Sequence, residues 1–191
     1  ARTSFHSGPA AARCRTPISF TLGPMKKLVR IVPLITEDER EFITAVAQSR
    51  TLHGRWVSAP STADSFITKL QRMDGVSSLG LCVRRLDTDA LVGFIEITQI
   101  VRGSFSSAYL GYYAFSPHAG QGFMKDGLQQ AVRLAFNRLG LHRLEANIQP
   151  ENIASIQLVK ACGFAKEGYS PRYLKIAGRW RDHERWAVLA S

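Results

Sequence analysis

The hydrophobic pattern switches from strand-like to helical after Phe115, and this switch constrains the fold more than any other feature. Upstream of it, three runs rich in β-forming residues lie at 78–86, 91–100 and 107–115, separated by turn-like residues. Such runs predict an antiparallel meander. Downstream of it, apolar residues recur at helical spacing across 128–139. The chain is therefore predicted to combine a sheet with a long helix.

Capping signals and shorter periodic runs predict the other elements. Thr36 and Glu39 form a T-x-x-E capping box at the start of a helix that reaches about Ser49. A second start signal opens a helix at 61–73. Because helices separate the later strands, the pattern argues for a mixed sheet in an α/β or α+β domain. The remaining predicted elements are a strand at 28–34, a strand at 142–149, a helix at 152–162, and strands at 164–176 and 180–189.

Length and composition favour one domain with a substantial core, since the chain has 191 residues and is 45% hydrophobic. Apolar runs such as 91–95 are far shorter than the roughly 20 residues of a membrane helix. We therefore expect a soluble, cytoplasmic protein without a membrane partner. Cys14, Cys82 and Cys162 form no CxxC pair and no Cys/His cluster. Reduced thiols and no metal site are predicted.

The first 24 residues differ from the rest, because they contain three arginines and many Ser and Thr but no acidic residue. This composition resembles a transit peptide, and it also arises from an expression leader or from a misplaced start, with Met25 as an equally natural beginning. Residues 1–24 are therefore set apart as a leader or a disordered segment. A single domain is predicted at 25–191.

The net charge of +10 indicates a polyanionic partner, such as a phosphorylated cofactor, RNA or an acidic protein. Without the three arginines of the first 24 residues the charge is still +7, so the domain itself is basic. Five basic residues cluster near the C-terminus, but acidic residues interleave them and few aromatic residues accompany them. A solvated strand face is predicted there, rather than a nucleic-acid site. The five are Arg172, Lys175, Arg179, Arg181 and Arg185.

The segment 116–124, S-P-H-A-G-Q-G-F-M, lies between a predicted strand and the long helix. Gly120 and Gly122 allow positive φ and a close approach to the backbone, and the N–H groups of a helix start attract anions such as phosphate. The alternative is a glycine turn that only leads the chain into the helix. The segment has neither the G-K-S/T of a Walker loop nor the third glycine of a dinucleotide fingerprint, so ATP and NAD are poor candidates.

Two later segments carry a resemblance to a known family. The runs L-H-R-L-E-A-N-I-Q-P-E-N-I-A-S at 141–155 and L-V-K-A-C-G-F at 158–164, followed by Glu167 and Gly168, resemble the second half of the GNAT core. The glycine loop resembles its first half, in the expected order. With the tail 173–183, the motifs are most similar to the RimJ/RimL group, which acetylates N-terminal amines of ribosomal proteins. The resemblance implies a mixed, mostly antiparallel, splayed sheet of about seven strands with helices on both faces.

The resemblance also implies acetyl-CoA as co-substrate, with its pyrophosphate held by backbone N–H groups of the glycine loop. Ala119 stands where Gln or Arg is usual and Met124 where a small residue is usual. These departures weaken side-chain help to the phosphate and leave the backbone cradle intact. Phe115 and Ser116 would lie beside the pantetheine arm, and Asn152 would bond it. The implied CoA-binding residues are Phe115, Ser116, Ala119, Gly120, Gln121, Gly122, Phe123, Met124, Asn152 and Ser155.

Acetyl transfer requires a neutral amine, a hydrogen-bond donor for the developing oxyanion and a proton donor for the leaving thiolate. Many family members use a tyrosine as that donor, and this chain has Val159 at the position. Ser155 is the candidate that orients the thiol or a water, with helix capping as its alternative role. For the base, Glu145 is preferred over Glu96 and Glu167. An α-amine, with a pKa of about 7.7 to 8.0, needs no strong base.

Large aromatic residues usually belong to a core, but several are candidates for the acceptor cleft. His118 and His183 are expected as polar surface groups. The predicted acceptor is the N-terminal amine of a protein, possibly ribosomal, and the alternatives are a small-molecule or antibiotic amine and a non-catalytic acyl-CoA- or RNA-binding module. Either a monomer or a homodimer is expected. The candidate acceptor-binding residues are Trp56, Tyr112, Tyr173 and Trp180.

Overall fold

The computed structural model describes residues 27–190. Within these residues the chain forms seven strands and five α-helices, and a 3-10 turn at Thr36–Asp38 precedes the first helix. The strands are β1 (Val29–Pro33), β2 (Leu79–Arg85), β3 (Leu91–Val101), β4 (Ser107–Ala114), β5 (Arg143–Ile148), β6 (Ala165–Ile176) and β7 (Arg179–Leu189), and the helices are α1 (Glu39–Gln48), α2 (Arg50–His53), α3 (Ala63–Gln71), α4 (Phe123–Asn137) and α5 (Ile153–Ala161).

All seven strands form one sheet in the order β1-β2-β3-β4-β5-β7-β6. Every neighbouring pair is antiparallel except β4 and β5, which are parallel. This parallel pair requires a long crossover, which α4 supplies. The mixed, mostly antiparallel sheet predicted from the sequence is confirmed.

The sheet splays apart along its parallel pair. Pairing between β4 and β5 begins at Ser107 opposite Arg143 and ends at Tyr109 opposite Glu145. Beyond that point β4 continues to pair with β3, while β5 continues to pair with β7. The rest of each strand therefore turns an unpaired edge toward the gap, and this gap positions the candidate site.

Helices cover both faces of the sheet, and each face has its own core. On one face, the buried Leu128, Ala131 and Ala135 of α4 join the aliphatic side chains of the central strands. On the other face the core is aromatic, because the Phe42 ring of α1 lies 5.4 Å from the Phe94 ring in an edge-to-face contact. The rings of Phe66 and Phe115 meet Phe42 at the same distance. Such edge-to-face packing adds to the burial of apolar area.

The helix starts are partly as predicted. Thr62 caps α3 by accepting a hydrogen bond from the Ser65 N–H at 3.3 Å, which confirms the second start signal. The predicted Thr36–Glu39 capping box is wrong: Asp38 accepts from the Ile35 N–H at 2.9 Å instead. Asp38 also pairs with Arg84 at 2.6 Å, so the aspartate joins the helix start to β2. The four-residue helix α2 was not predicted.

The remaining predictions concern the N-terminal segment, the cysteines, His183 and membrane-spanning helices. The predicted leader at 1–24 and Cys14 lie outside the described residues, and the domain boundary at residue 25 stays a prediction. Cys82 is a buried free thiol and Cys162 a half-buried one. His183 was expected at the surface, and this is wrong, because only 2% of the residue is exposed. Between residues 27 and 190, no helix combines the length and apolarity that crossing a bilayer requires.

Candidate functional site

A cleft of about 1110 Å³ occupies the gap between β4 and β5 and passes from one side of the sheet to the other. Its lining includes Gly120 and Gly122 at one end and Glu96 and Tyr173 at the other. A volume of this size is at the upper end of the range for small-molecule sites. The two ends differ in construction: backbone groups at helix starts dominate the first, and side chains dominate the second.

The first end is the start of α4. Gly122 is its N-cap and adopts φ 84°, and Gly120 adopts φ 79°, a region of the backbone that glycine enters without strain. The Asp126 N–H bonds the Gly122 carbonyl at 3.2 Å. The N–H groups of 123–125 come before this first bond, so they have no carbonyl acceptor within the helix. Together with the helix dipole they form a site suited to a phosphate group.

The structure places the predicted loop residues in two groups. Four of them line the cleft: Ala119, Gly120, Gly122 and Met124. Gln121 and Phe123 do not. The Gln121 side chain donates to the Pro117 carbonyl at 2.9 Å, and the Phe123 ring stacks under the Arg85 guanidinium at 5.0 Å.

Phe115 and Ser116 also lie outside the lining of the cleft. They hold the end of β4 in place. Phe115 is fully buried in the aromatic core. The Ser116 N–H donates to Ser49 Oγ at 2.9 Å, and the buried His53 bonds the Ala114 carbonyl at 2.8 Å. The end of β4 is thus fastened to α1 and α2 before the loop begins.

The start of α5 closes one side of the cleft. Asn152 is the N-cap, and its Oδ1 accepts from the Ser155 N–H at 3.2 Å. The Tyr112 hydroxyl donates to the Ser155 carbonyl at 3.2 Å. Both contacts fix the backbone of Ser155, and all three residues line the cleft. Burial raises the pKa of Tyr112 well above its ordinary value, so its hydroxyl stays protonated. Capping therefore falls to Asn152, which leaves the Ser155 side chain available for another role.

Two polar atoms in the wall of the cleft are buried without a hydrogen-bond partner within residues 27–190. They are Oδ1 of Asn147, on the splayed part of β5, and the hydroxyl of Tyr113, on the splayed part of β4. Burial raises the pKa of Tyr113 well above its ordinary value. An unsatisfied buried polar atom is costly unless something bonds it. Both atoms fit a ligand that carries amide groups along the gap.

The other end of the cleft holds one carboxylate, that of Glu96 on β3. Its Oε2 accepts from Lys69 Nζ of α3 at 2.6 Å. Glu96 lies opposite Gly111 in the sheet, and a Cβ at Gly111 would come within 2.8 Å of Glu96 Oε1. The glycine therefore makes the space into which the carboxylate folds. Sequence reasoning missed Lys69 and Gly111, although an isolated glycine within a strand is a signal of close approach.

Glu145, the preferred base from the sequence, lies outside the lining of the cleft. Its carboxylate accepts from Arg143 Nε at 2.7 Å, and the same arginine binds Glu167. The guanidinium lowers the pKa of Glu167 below its ordinary value. The geometry brings Glu96 to the cleft and gives neither Glu145 nor Glu167 a route into it.

Tyrosines mark the point where the strands part. Tyr109, in the last parallel pair, lines the cleft together with Tyr173 of β6. A hydrogen bond with the Tyr173 hydroxyl, together with burial, raises the pKa of Tyr109 to about 12. Trp56 also lines the cleft, and Arg55 stacks on its ring at 4.4 Å. Trp180 is outside the lining and 61% exposed. Residues 27–190 bring together no three His, Cys, Asp or Glu side chains in a way that would hold a metal ion.

The sequence profile of the acetyltransferase (GNAT) domain matches residues 29–165. The match covers well over half of the chain, which therefore belongs to the GNAT family. The GNAT fold and the family resemblance predicted from the sequence are confirmed.

Individual relatives narrow the comparison. The chain is 40% identical to the [ribosomal protein uS5]-alanine N-acetyltransferase of Escherichia coli over 97 residues, which are 51% of this chain and 50% of that protein. It is 33% identical to the spermidine N(1)-acetyltransferase of Vibrio cholerae over 101 residues, 53% of this chain and 56% of that protein. The chain thus matches only about half the length of these curated relatives.

A solved structure extends the likeness of fold to most of the chain. The fold is similar to that of Mycobacterium smegmatis RimJ in complex with CoA-disulfide, with a TM-score of 0.78. The two sequences are 24% identical, and the superposition covers 85% of this chain and 82% of the other. At that identity the likeness concerns the fold alone.

Proposed function

We propose that the protein is an acetyl-CoA-dependent N-acetyltransferase whose acceptor is the N-terminal α-amine of a protein. One observation carries the proposal: the gap that opens beyond Tyr109 has free helix-start N–H groups at one end and the Glu96 carboxylate at the other. The first end suits a pyrophosphate and the second suits an amine. Acetyl transfer would take place between the two ends, inside the gap in the sheet.

Acetyl-CoA fits the helix-start end. The N–H groups of the loop at 119–125 would hold the pyrophosphate, with Lys125 of the lining adding positive charge. The pantetheine arm would run along the splayed edges, where Asn147 Oδ1 and the side-chain amide of Asn152 can bond its amides. Phe115 and Ser116 act by holding the end of β4 in place. Acetyl-CoA supplies an acetyl group activated as a thioester.

The amine has to lose a proton as its nitrogen attacks the acetyl carbon. Glu96 accepts this proton, directly or through a water, because it is the one acidic residue among those that line the cleft within residues 27–190. Lys69 holds the carboxylate in position through the 2.6 Å contact. A new N–C bond forms and the C–S bond breaks.

The departing sulfur needs a proton or a hydrogen bond. Val159 cannot provide one, because it is fully buried and apolar. Ser155 is our candidate, since its backbone is fixed by Asn152 and Tyr112 and it faces the gap. A free thiol has a pKa near ~8.5, so a hydroxyl or an ordered water is sufficient to stabilise the leaving thiolate.

The charge of the lining favours a protein N-terminus over a polyamine. Apart from Lys125 at the helix-start end, Lys69 and Lys175 line the cleft, and Glu96 is already paired with Lys69. A polyamine carries several positive charges and needs several carboxylates, because like charges repel one another at close range. An α-amine needs only one. The spermidine-acetylating relative nevertheless makes a small amine the second candidate.

The test measures thiol release from acetyl-CoA with three acceptors. The first is an alanine-initiated peptide with a free N-terminus and one internal lysine, the second is the same peptide with a blocked N-terminus, and the third is spermidine. We expect turnover with the first peptide alone. Turnover only with spermidine would establish the small-amine acceptor. Binding of CoA without thiol release from any amine would contradict the enzyme and favour a binding module.

A further inference from the structure

A row of arginines on β7 faces the acceptor end of the cleft. Alternate residues of a strand share a face, so Arg179, Arg181 and Arg185 lie on the same face as the buried His183, which lines the cleft. We call Arg179, Arg181 and Arg185 the β7 arginine row.

Strand register places the row on the Glu96 side of the sheet. Arg185 lies opposite Asn147 of β5, and Glu145, two residues earlier, lies opposite Tyr109 of β4. Tyr109 shares its face with Gly111, which lies opposite Glu96. One continuous face therefore carries the proposed base and all three arginines.

This face is open where the row lies. The helices α1–α3 cover it only over the central strands, through the aromatic core around Phe42. Arg179 and Arg185 are exposed and Arg181 is half-buried. Arg181 lies opposite Leu174 and Arg179 opposite Ile176, and both of these β6 residues line the cleft. The row consequently begins at the mouth of the acceptor end.

The row has few close countercharges. None of the three arginines forms a salt bridge within residues 27–190, although the charge of Arg185 helps to lower the pKa of Glu167. Nearby acids are already engaged: Glu184 pairs with Lys166, and Asp182 accepts from the Arg172 N–H at 2.7 Å. The Arg185 guanidinium lies over Gly168, where a side chain would collide with it. Within the described residues, Arg179 and Arg181 thus have no salt-bridge partner, and the only carboxylate that feels Arg185 is Glu167, which is already bound to Arg143.

We infer that the β7 arginine row binds acidic side chains that follow the N-terminal residue of the acceptor, an inference that rests on the proposed function. Guanidinium groups bond carboxylates through two parallel contacts, so arginine suits this task better than lysine. The row also repels polyamines and basic peptides. The acceptors are therefore proteins whose first residues after the N-terminus are acidic.

A nucleic acid fits this surface less well than an acidic peptide. Binding of single-stranded RNA combines a positive groove with aromatic rings on which bases stack. The exposed Trp180 alternates with the row and therefore lies on the opposite face of β7. No Phe, Tyr or Trp of β7 lies on the face of the row, so between its arginines the strand offers charge and bidentate contacts.

The experiment compares two alanine-initiated peptides that differ only at positions 2 to 6, which are Asp and Glu in one and Asn and Gln in the other. For the unaltered protein we expect kcat/KM to be about tenfold higher with the acidic peptide, through KM, because three exposed ion pairs each contribute modestly. The preference should shrink toward zero at 0.5 M salt, since ions screen exposed charges.

Variants locate the effect. The triple variant Arg179→Gln, Arg181→Gln, Arg185→Gln should accept both peptides equally, with the neutral peptide unaffected. The matched control removes three exposed arginines outside β7, Arg40→Gln, Arg133→Gln and Arg138→Gln, and should keep the preference. If the triple variant does not fold, the double variant of the two exposed arginines, 179 and 185, should still reduce the preference severalfold.

Three results would overturn the inference alone, and a fourth would overturn the proposed function with it. Equal use of both peptides by the unaltered protein would do so while leaving the proposed function intact. An equal loss of preference in both triple variants would indicate a diffuse field rather than a site. Tight binding of an oligouridylate that the row variant alone loses, without a peptide preference, would assign the row to nucleic acid. Absence of turnover with every peptide would end both proposals.

Discussion

The two ends of the cleft are built by different means. At the proposed cofactor end, the candidate groups are backbone N–H groups at the start of α4, exposed because Gly122 and Gly120 adopt positive φ. At the proposed acceptor end, they are the side chains of Lys69, Glu96 and Tyr173, which come from α3, β3 and β6. A backbone site is encoded by a short stretch of chain, whereas a side-chain site is assembled only by the complete fold.

Because of this difference, substitutions at the two ends should impair function in different ways. A residue change at the cofactor end alters binding only when it changes the path of the backbone. A change at the acceptor end can remove the reactive group itself. Substitutions at the two ends should therefore change different kinetic constants, and the largest losses are expected at the acceptor end.

The largest effect is expected for Glu96→Gln, which keeps the volume of the side chain and removes the proton acceptor. We expect kcat to fall by about 100-fold or more, as is usual for the loss of a general base, with KM for acetyl-CoA almost unchanged. Steady-state kinetics with a free N-terminal peptide measure both constants.

Glu145→Gln is the matched control for this substitution. Glu145 is bound to Arg143 outside the cleft and would touch no reactant. Its replacement should therefore change kcat by less than about threefold. A large fall in kcat for Glu145→Gln, with Glu96→Gln active, would restore Glu145 as the base and remove the contrast between the two carboxylates.

The next effect concerns Gly111→Ala. The new Cβ would lie 2.8 Å from Glu96 Oε1 and 2.9 Å from its Cγ, so the carboxylate must move. Because small misplacements of a catalytic group are costly, we expect kcat to fall about tenfold without a change in KM for acetyl-CoA. Gly127→Ala is the control: its Cβ would meet Val83 at 2.9 Å in the aliphatic core, and neither residue lines the cleft. A loss of activity in Gly127→Ala as large as that in Gly111→Ala would assign both effects to general distortion of the fold.

The cofactor end is tested by Gly122→Val against Gly163→Val. Both glycines have positive φ, 84° and 91°, and open space where a Cβ would stand. The backbone strain, about 1–2 kcal/mol, should therefore lower the free energy of unfolding similarly in the two variants. Only Gly122→Val should raise KM for acetyl-CoA, by about tenfold, with kcat for the peptide nearly kept. Equal KM values in the two variants would mean that the loop does not hold the cofactor.

The same contrast explains which parts of the fold and of the candidate site could be predicted from the sequence. The strands and the longer helices α1, α3, α4 and α5 were predicted because period and caps are local properties, and Thr62 caps α3 at the predicted start signal. Capping of α5 was considered for Ser155, and in the structure Asn152 performs it. The error at Thr36 has a local cause as well. Asp38, one residue before the expected Glu39, satisfies the helix start and pairs with Arg84 of β2, a contact that the sequence does not reveal.

The acceptor end was not predictable to the same degree. Both carboxylates lie on the same face of the sheet, so choosing between Glu96 and Glu145 requires knowing where the β4–β5 pair opens and that Gly111 leaves room for Glu96 beside the opening. That depends on the order of seven strands and on the register of the β4–β5 pair, both of which are set by tertiary packing. His183 shows the same limit, since a polar residue near the chain end proved to be buried between strands and the cleft.

The smallest predicted effect concerns this histidine, which belongs to the floor of the acceptor end. Burial lowers the pKa of His183 below its usual 6.5, and its Nδ1 bonds the Arg181 carbonyl at 2.9 Å. Below pH 6.5 the His183 side chain is therefore protonated more readily in the unfolded chain than in the folded protein. The stability that His183 contributes is complete above pH 6.5 and is lost as the pH falls through its lowered pKa. Between pH 8 and pH 5.5, Tm of the unaltered protein should therefore fall further than that of His183→Gln. Thermal unfolding at the two pH values measures the difference. Parallel falls in Tm would show that His183 is protonated as easily in the folded protein as in the unfolded chain, and that the acceptor end is more open to water than its burial indicates.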